Sequence, residues 1–229
     1  MNHLLQLFIL SPLSLVDYEV RGVLILTNFA IPTTIDKSYV NQAMTGLLLG
    51  DGSLVKKYVG GGTYFKFCQS TIHTEYLNHV FNLFKKVGYL HMNAPSFQTL
   101  LVKGKTYHAW QFNSITFRSW NTLQRLWYVD GVKVIPHNIF DLLTPIAMAH
   151  WLMDDGGWTG KAIHLNTNAF SKVDVLRLIA VLETKYGLKC GLHSRNRVYI
   201  WTPSCPKFLD IVRPHVHPSM SYKVTIPNK

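Results

Sequence analysis

The sequence predicts an α+β fold made of two half-domains that share one plan, at residues 37–136 and 141–227. Two observations predict it: a decapeptide that occurs twice, and the same order of predicted elements after each copy. Residues 1–36 form an N-terminal extension, and residues 137–140 are a connector too short to act as a flexible linker. With 229 residues, the chain is long enough to build two such halves around a sizeable core.

The repeated decapeptide lies at residues 43–52 and 147–156, and its copies agree at five of ten positions. Each copy is an apolar, helix-like run that ends in Asp-Gly. Thr144-Pro145 supplies an N-cap residue and a first-turn proline for the second run. The pattern therefore predicts that Asp51 and Asp155 each end a helix.

After each decapeptide the pattern predicts a strand, an amphipathic helix with a glycine C-cap, two strands, a further helix and a lysine motif. In the first half these are Thr63–Ser70, a helix ending at Val87-Gly88, Phe97–Val102, Tyr107–Phe112, Thr116–Tyr128 and Lys133–Pro136. In the second half they are Ala162–Thr167, a helix ending at Tyr186-Gly187, Lys189–His193, Arg197–Trp201, Cys205–Val212 and Lys223–Pro227. This shared order indicates a duplication.

The chain is strongly basic, with 23 Lys and Arg against 12 Asp and Glu, a net charge of +11. The excess is concentrated, because Glu75 is the only acid between residues 52 and 129. Such a surface attracts nucleic acid or an acidic membrane. The scarcity of counter-charges favours a functional polyanion surface over ordinary solvated lysines. With 48% hydrophobic and 13% aromatic residues, the composition excludes a disordered or collagen-like chain.

The cysteines and the N-terminal residues indicate which kinds of metal site, cross-link and targeting segment to expect. Cys68, Cys190 and Cys205 have no paired spacing, so the sequence predicts neither a disulfide framework nor a zinc cluster. The apolar run at residues 4–10 is far shorter than the roughly 20 residues of a membrane helix. No lysine or arginine precedes Arg21, so we expect no targeting segment and no membrane partner. A missing targeting segment still allows an organelle, since a protein made inside one needs none.

Two aspartates at helix ends predict a metal site. A carboxylate at a helix C-terminus faces the negative end of the macrodipole, at a cost of about 0.3–1 kcal/mol unless a cation compensates. If the two apolar helices pack side by side, Asp51 and Asp155 come together as a hard, oxygen-only site of the type that binds Mg²⁺. Either motif alone is typical of a loop turn, but its duplication favours the site.

The two motif runs resemble the signature helices of the LAGLIDADG homing endonucleases, in their single-chain, two-motif, intron-encoded form. The resemblance rests on residues 45–52 and 150–156, on their separation, and on the Lys133–Pro136 and Lys223–Pro227 closures, and it extends over residues 37–227. It implies a pseudo-twofold pair of αββαββα half-domains. The two LAGLIDADG helices then form the interface, and antiparallel, saddle-shaped sheets lie on double-stranded DNA.

The resemblance also implies a ligand set. The last acid of each motif, Asp51 or Asp155, ligates the metal, which is Mg²⁺ with Mn²⁺ as a substitute. Backbone carbonyls of Gly50 and Asp154 contribute to coordination. The second helix places His150 opposite the small-residue face of the first, and we interpret it as a packed interface residue rather than a ligand.

Other catalytic roles follow from the same resemblance. Lys133 and Lys223 match lysines that lie near the scissile phosphates, against the alternative that they are solvated surface lysines. Gln69 and Asn166 are the candidates for the polar first-strand residue of the water network. Their parity differs, however, because Gln69 shares the phase of the buried phenylalanines. Without a bulge, Cys68 takes that position in the first half.

The DNA surface is expected on the polar phase of the strands, where basic residues bind phosphates and some side chains read base edges. The candidates are Lys56, Tyr58, Lys66, Lys103, Lys105, Tyr107, Lys161, His164, Arg195, Arg197 and Tyr199.

The resemblance implies a metal-dependent endonuclease for intron homing. It would act as a monomer that cuts both strands of a long target and leaves short 3′ extensions. The alternative is a group I intron maturase, or a non-cleaving nucleic-acid-binding protein of the same fold, with intron RNA as a partner. We expect an organelle, a mitochondrion in preference to a chloroplast.

Overall fold

The structure, a computed structural model, describes residues 35–102 and 104–226 and the backbone of two short strands. Those strands, β1 (Glu19–Val20) and β2 (Val23–Leu24), pair antiparallel within a unit of residues 1–33. Residues 34–229 form a second unit, which contains both predicted half-domains. The apolar run at residues 4–10, most of the predicted extension, Lys103 and Pro227 lie outside the described residues.

The first half of the larger unit contains three helices, a four-stranded sheet and a terminal hairpin. They are α1 (Lys37–Leu49), β3 (Ser53–Lys56), β4 (Thr63–Ser70), α2 (Thr74–Lys86), β5 (Ser96–Val102), β6 (Lys105–Asn113), α3 (Trp120–Trp127), β7 (Tyr128–Val129) and β8 (Val132–Lys133).

The second half repeats this order after a short helix. Its elements are α4 (Ile139–Leu142), α5 (Pro145–Asp155), β9 (Gly156–Thr159), β10 (Ala162–Leu165), α6 (Lys172–Tyr186), β11 (Cys190–His193), β12 (Arg197–Ile200), α7 (Cys205–Val212) and the 3₁₀ turns Arg213–His215 and Pro218–Lys223. The predicted connector at residues 137–140 overlaps α4, which is helical.

The two sheets have the same topology. Their strand orders are β3-β4-β6-β5 and β9-β10-β12-β11, and the neighbouring strands are antiparallel. Each half therefore reads αββαββα, and the predicted α+β fold is confirmed. The hairpins differ in length, because β5 and β6 have 7 and 9 residues while β11 and β12 have 4 each.

Local sequence explains where the helices begin and end. Asp36 caps α1 by accepting a hydrogen bond from the backbone N–H of Tyr39 at 2.9 Å. Thr144 caps α5 through the N–H of Ala147, and a proline occupies the first turn as predicted. Gly187 ends α6 in the left-handed conformation (φ 59°), which a residue with a side chain rarely adopts.

One predicted helix is too long. The sequence predicts helix from Thr116, but α3 begins at Trp120. The reason is a non-local pairing, because Phe117 and Thr63 exchange two backbone hydrogen bonds of 2.8 and 3.0 Å. Sequence patterns report local propensity, and a long-range β-bridge overrides it here.

Each sheet buries one face under its helices. In the first half, Phe65 and Phe112 are fully buried, and the ring centroids of Phe65 and Phe84 lie 4.8 Å apart. In the second half, Ile163 and Leu165 take the same phase and are fully buried. Among the described residues no helix is both long and apolar enough to cross a membrane.

The helices α1 and α5 pack against each other at the centre of the unit. A Cβ atom on Gly46 would lie 2.0 Å from the carbonyl oxygen of Ala147, and one on Gly50 would lie 2.5 Å from the Cβ of Asp154. These contacts are shorter than any side chain permits, so the two glycines let the helix backbones approach. This packing fixes the position of both helix C-termini.

We predict that Gly46→Ala lowers the free energy of unfolding by about 1–3 kcal/mol, because the new methyl group overpacks the interface. Glycine to alanine in an unpacked helix would instead stabilise by about 1 kcal/mol. Urea unfolding measures the change, with Ser38→Ala on the exposed side of α1 as the control. Equal or greater stability of Gly46→Ala would contradict the close packing.

Candidate active site

Two aspartates lie at the adjoining ends of α1 and α5. Asp51 follows Gly50, the C-cap of α1, and is exposed. Asp155 is the last residue of α5 and is partly buried. Each therefore stands at the negative end of a helix dipole, as the sequence predicts. Gln69 contacts Asp51, its Nε2 donating to Asp51 Oδ2 at 2.7 Å.

The electrostatics of Asp155 show that the two carboxylates interact. Burial, and after it the negative charge of Asp51, raise the pKa of Asp155 from 3.8 to about 6. The positive charges of Lys223 and Lys133 act in the opposite direction. A cation placed between Asp51 and Asp155 would relieve the repulsion.

Both predicted lysines are tied to the helix ends. Lys133 Nζ donates to the carbonyl oxygens of Gly50 at 3.3 Å and Gly52 at 2.7 Å. Lys223 Nζ donates to the carbonyl oxygens of Met153 at 2.5 Å and Asp154 at 3.1 Å. Each ammonium thus compensates the negative helix end of its own half, which is a favourable interaction.

Burial lowers the pKa of both lysine ammonium groups. It lowers the pKa of Lys133 to about 8, and it also lowers the pKa of Lys223. The alternative that they are solvated surface lysines is wrong, since Lys223 is 8% exposed and Lys133 is partly buried. Their ammonium groups donate hydrogen bonds to the carbonyl oxygens of Gly50 and Asp154. Coordination of a metal by those two carbonyls therefore stays a prediction.

The first-strand residues occupy unequal positions in the two halves. Lys66 pairs with Ser53 and His164 pairs with Gly157, which makes Cys68 and Asn166 equivalent positions two residues further on.

Gln69 nevertheless makes the contact with Asp51. It is only 6% exposed, on the phase of the core as predicted, and its long side chain reaches the helix end at the close of the strand. The expectation that Cys68 replaces it is wrong for this hydrogen bond. Asn166 is held differently, because its backbone N–H donates to the carbonyl of Asp155 at 3.0 Å.

His150 is an interface residue, as interpreted from the sequence. It is fully buried, and its Nδ1 lies 3.2 Å from the hydroxyl of Tyr76. Burial and the neighbouring histidines lower the pKa of His150 to about 3, so it is neutral. Tyr76 is not among the residues that the sequence predicts for the site, because its place on the buried face of α2 carries no information about its neighbours across the interface.

The structure brings six of the predicted DNA-binding residues onto the open faces of the two sheets. In the first sheet, cross-strand pairing gives Lys66, Tyr107 and Lys105 the phase opposite to the buried phenylalanines. In the second, His164 pairs with Tyr199, and Arg197 lies two residues along the same strand. His164 Nδ1 lies 2.7 Å from the Thr159 hydroxyl, which fixes its ring on that face.

The remaining predicted residues do not share this strand phase. Lys56 pairs with the buried Thr63, so it belongs to the core phase and is exposed only because its strand ends there. Tyr58, Lys161 and Arg195 lie in connecting turns and are exposed. Lys103 lies outside the described residues.

The donor set at the helix ends consists of oxygen atoms. Among the described residues, no three His, Cys, Asp or Glu side chains come close enough to hold a metal together. The described cysteines are free thiols, in agreement with the sequence. An exposed carboxylate beside a partly buried one suits a hard cation that also takes water or phosphate oxygens as ligands.

The sequence profile of the LAGLIDADG DNA endonuclease family matches residues 41–208, a span that contains both repeated decapeptides and both four-stranded sheets. The chain belongs to this family. The resemblance seen in the sequence is thereby confirmed.

Several curated relatives of this LAGLIDADG protein are similar over most of its length. It is 36% identical over 203 residues to the cytochrome b mRNA maturase bI2 of Debaryomyces hansenii, covering 86% of this chain and 76% of the relative. It is also 36% identical to the bI2 maturase of Saccharomyces cerevisiae, covering 78% of this chain but only 45% of that protein. The DNA endonuclease I-ChuI of Chlamydomonas applanata is 28% identical over 80% of this chain and 93% of its own.

A solved structure shares the fold. The homing endonuclease I-WcaI, bound to its DNA recognition sequence, superposes with a TM-score of 0.75 at 22% identity, covering 86% of this chain and 90% of that one. At this level of identity the likeness concerns the fold.

The repulsion at the helix ends has a consequence for stability. In metal-free protein, we predict that Asp155→Asn raises the free energy of unfolding at pH 7.5 by about 1–2 kcal/mol. The folded protein binds the Asp155 proton more tightly than the unfolded chain does, so wild-type stability falls as pH rises from about 4 to about 6. The gain in the variant is therefore full above about pH 6 and disappears below about pH 4.

Urea titrations in a chelator from pH 3.5 to 8 measure this gain. The exposed Asp141→Asn serves as the control and should shift stability by less than about 0.5 kcal/mol. A gain that is independent of pH would contradict the raised pKa.

Proposed function

We propose that this LAGLIDADG protein is a site-specific endonuclease that hydrolyses both strands of a long DNA target. The observation that supports it is the pair of carboxylates, Asp51 and Asp155, at adjoining helix ends, beside two sheets with basic open faces. Two acids at corresponding positions, one from each half, fit a reaction carried out twice, once on each strand. Because one chain supplies both halves, we propose a monomer.

The cofactor proposed is a divalent metal, Mg²⁺ with Mn²⁺ as a substitute, held by Asp51 and Asp155. The mutual repulsion of these carboxylates and their all-oxygen chemistry support a hard cation. When bound, it would supply activation of water and stabilisation of the leaving 3′ oxygen.

The residues of the chain then have separate tasks. Gln69 orients the Asp51 carboxylate through its 2.7 Å hydrogen bond. Lys133 and Lys223 hold the two helix ends and place positive charge beside the carboxylates, where negative charge develops on a scissile phosphate. The open faces of the sheets, with Lys66, Arg197 and their neighbours, bind the phosphate backbone and read bases.

An RNA maturase is the second candidate, because two similar proteins carry the name cytochrome b mRNA maturase. Its partner would be intron RNA, bound by the same basic chain. The proposed location is an organelle, and the cytochrome b relatives support the mitochondrion over the chloroplast. Both candidates are compatible with a homing protein encoded by an intron.

Cleavage separates the two candidates. We predict that wild-type protein in Mg²⁺ cuts a diverse duplex library at discrete sites with short 3′ extensions, which sequencing of the ends maps. Asp51→Asn/Asp155→Asn should reduce the rate at least 10⁴-fold and still bind DNA, since the metal-binding charge is lost but the sheets are intact. Asp141→Asn should cut normally. Wild-type protein that makes no breaks but binds structured intron RNA tightly would favour the maturase.

The open faces give a second prediction. Lys66→Ala and Arg197→Ala should each weaken binding of the mapped DNA site and reduce the slope of log K against log salt by about one. Lys86→Ala, at the exposed end of α2 and away from both sheet faces, is the matched control. Fluorescence anisotropy between 50 and 300 mM salt measures both quantities. A control variant that loses as much affinity as Arg197→Ala would contradict the assigned surface.

A further inference from the structure

The two catalytic helix ends are not equivalent, and the difference lies in one side chain. Gly50 precedes Asp51 in the first half, and Asp154 precedes Asp155 in the second. The Oδ2 atom of Asp154 accepts a hydrogen bond of 3.1 Å from the backbone N–H of Asp51, across the helix interface. Gly50 has no side chain that could make the corresponding contact with Asp155.

Gly50 and Asp154 fit each other sterically. A Cβ atom on Gly50 would lie 2.5 Å from the Cβ of Asp154 and 2.6 Å from its Oδ2. The carboxylate therefore fills the space that the glycine leaves open. Without that space, Asp154 could not reach the Asp51 amide, so the hydrogen bond depends on both Gly50 and Asp154.

The position of the Asp154 carboxylate is unfavourable for the stability of the folded protein. Its Oδ1 atom is inaccessible to solvent and makes no close hydrogen bond among the described residues, although the hydroxyl of Tyr76 interacts with the Asp154 side chain. A carboxylate in such a place costs free energy, and a hydrophobic or small residue would not. A residue that opposes stability at an active site points to a functional constraint.

We propose that Asp154 is a positioning residue that fixes the backbone of Asp51 and so serves one of the two cleavage centres. The proposal rests on the endonuclease function proposed above. Asp51 has two restraints, Gln69 on its carboxylate and Asp154 on its amide. Loss of the Asp154 side chain leaves Asp51 free to shift, while the amide of Asp155 is untouched inside α5. A displacement of a catalytic group by about 1 Å can cost up to about 100-fold in rate.

The test compares the rates at which the two strands of the mapped site are cut. Asp154→Ala removes the acceptor and should slow one strand at least tenfold relative to the other, so that nicked circles accumulate from a supercoiled plasmid. Asp154→Asn keeps an acceptor oxygen at the same place and should restore the strand ratio to within about threefold of wild type. A role in stability alone would slow both strands equally and leave the ratio unchanged.

A second measurement does not depend on cleavage. Hydrogen exchange at the Asp51 amide should be at least tenfold faster in Asp154→Ala than in wild type, with protection retained in Asp154→Asn. If Asp154→Ala does not fold, Asp154→Ser, which is too short to reach the amide, takes its place.

The outcomes separate the two proposals. An unchanged strand ratio in the alanine variant, an asparagine variant as unbalanced as alanine, or unchanged exchange at Asp51 would overturn the positioning role. Wild-type protein that cuts neither strand would overturn the endonuclease function, and exchange alone would then decide the role of Asp154.

Discussion

The close contact of α1 and α5 is the constraint on which the rest of the structure depends. Gly46 and Gly50 bring the two backbones nearer than side chains would allow, and both helices end at the same place. Because a strand begins within a few residues of each helix end, the position of the helices also sets where the two sheets begin. Packing at one interface thus determines the position of the aspartate pair and the placement of the open faces.

The packing of α1 against α5 concentrates negative charge at the two helix C-termini. Two helix C-termini and the carboxylates around them meet in a partly buried space, where electrostatic interactions are stronger than in water. Lys133 and Lys223 compensate part of that charge by donating hydrogen bonds to the carbonyl oxygens at the helix ends. Burial, and after it the charge of Asp51, still raise the pKa of Asp155 despite these two lysines. Bringing these carboxylates together opposes stability, as is common at functional sites.

The pseudo-twofold repeat is accurate in the backbone and inexact in the side chains. Strand order, helix order and the lysine closures agree between the halves. Two differences between the halves stand out. Asp154 faces Gly50 at the interface of α1 and α5, and the β5–β6 hairpin is longer than the β11–β12 hairpin. A duplex target that is not palindromic suits two halves of unequal shape and unequal contacts.

The element order, the predicted helix caps, the pair of aspartates and the family can all be inferred from the amino-acid sequence, because they depend on local patterns and on a repeat within the chain. Three features are visible only in the folded protein: Gln69 rather than Cys68 contacts Asp51, α3 begins at Trp120, and Asp154 reaches across to the neighbouring helix. Each of these depends on residues far apart in sequence that meet through packing. Strand parity and helix propensity describe one element at a time, so they carry no information about such contacts.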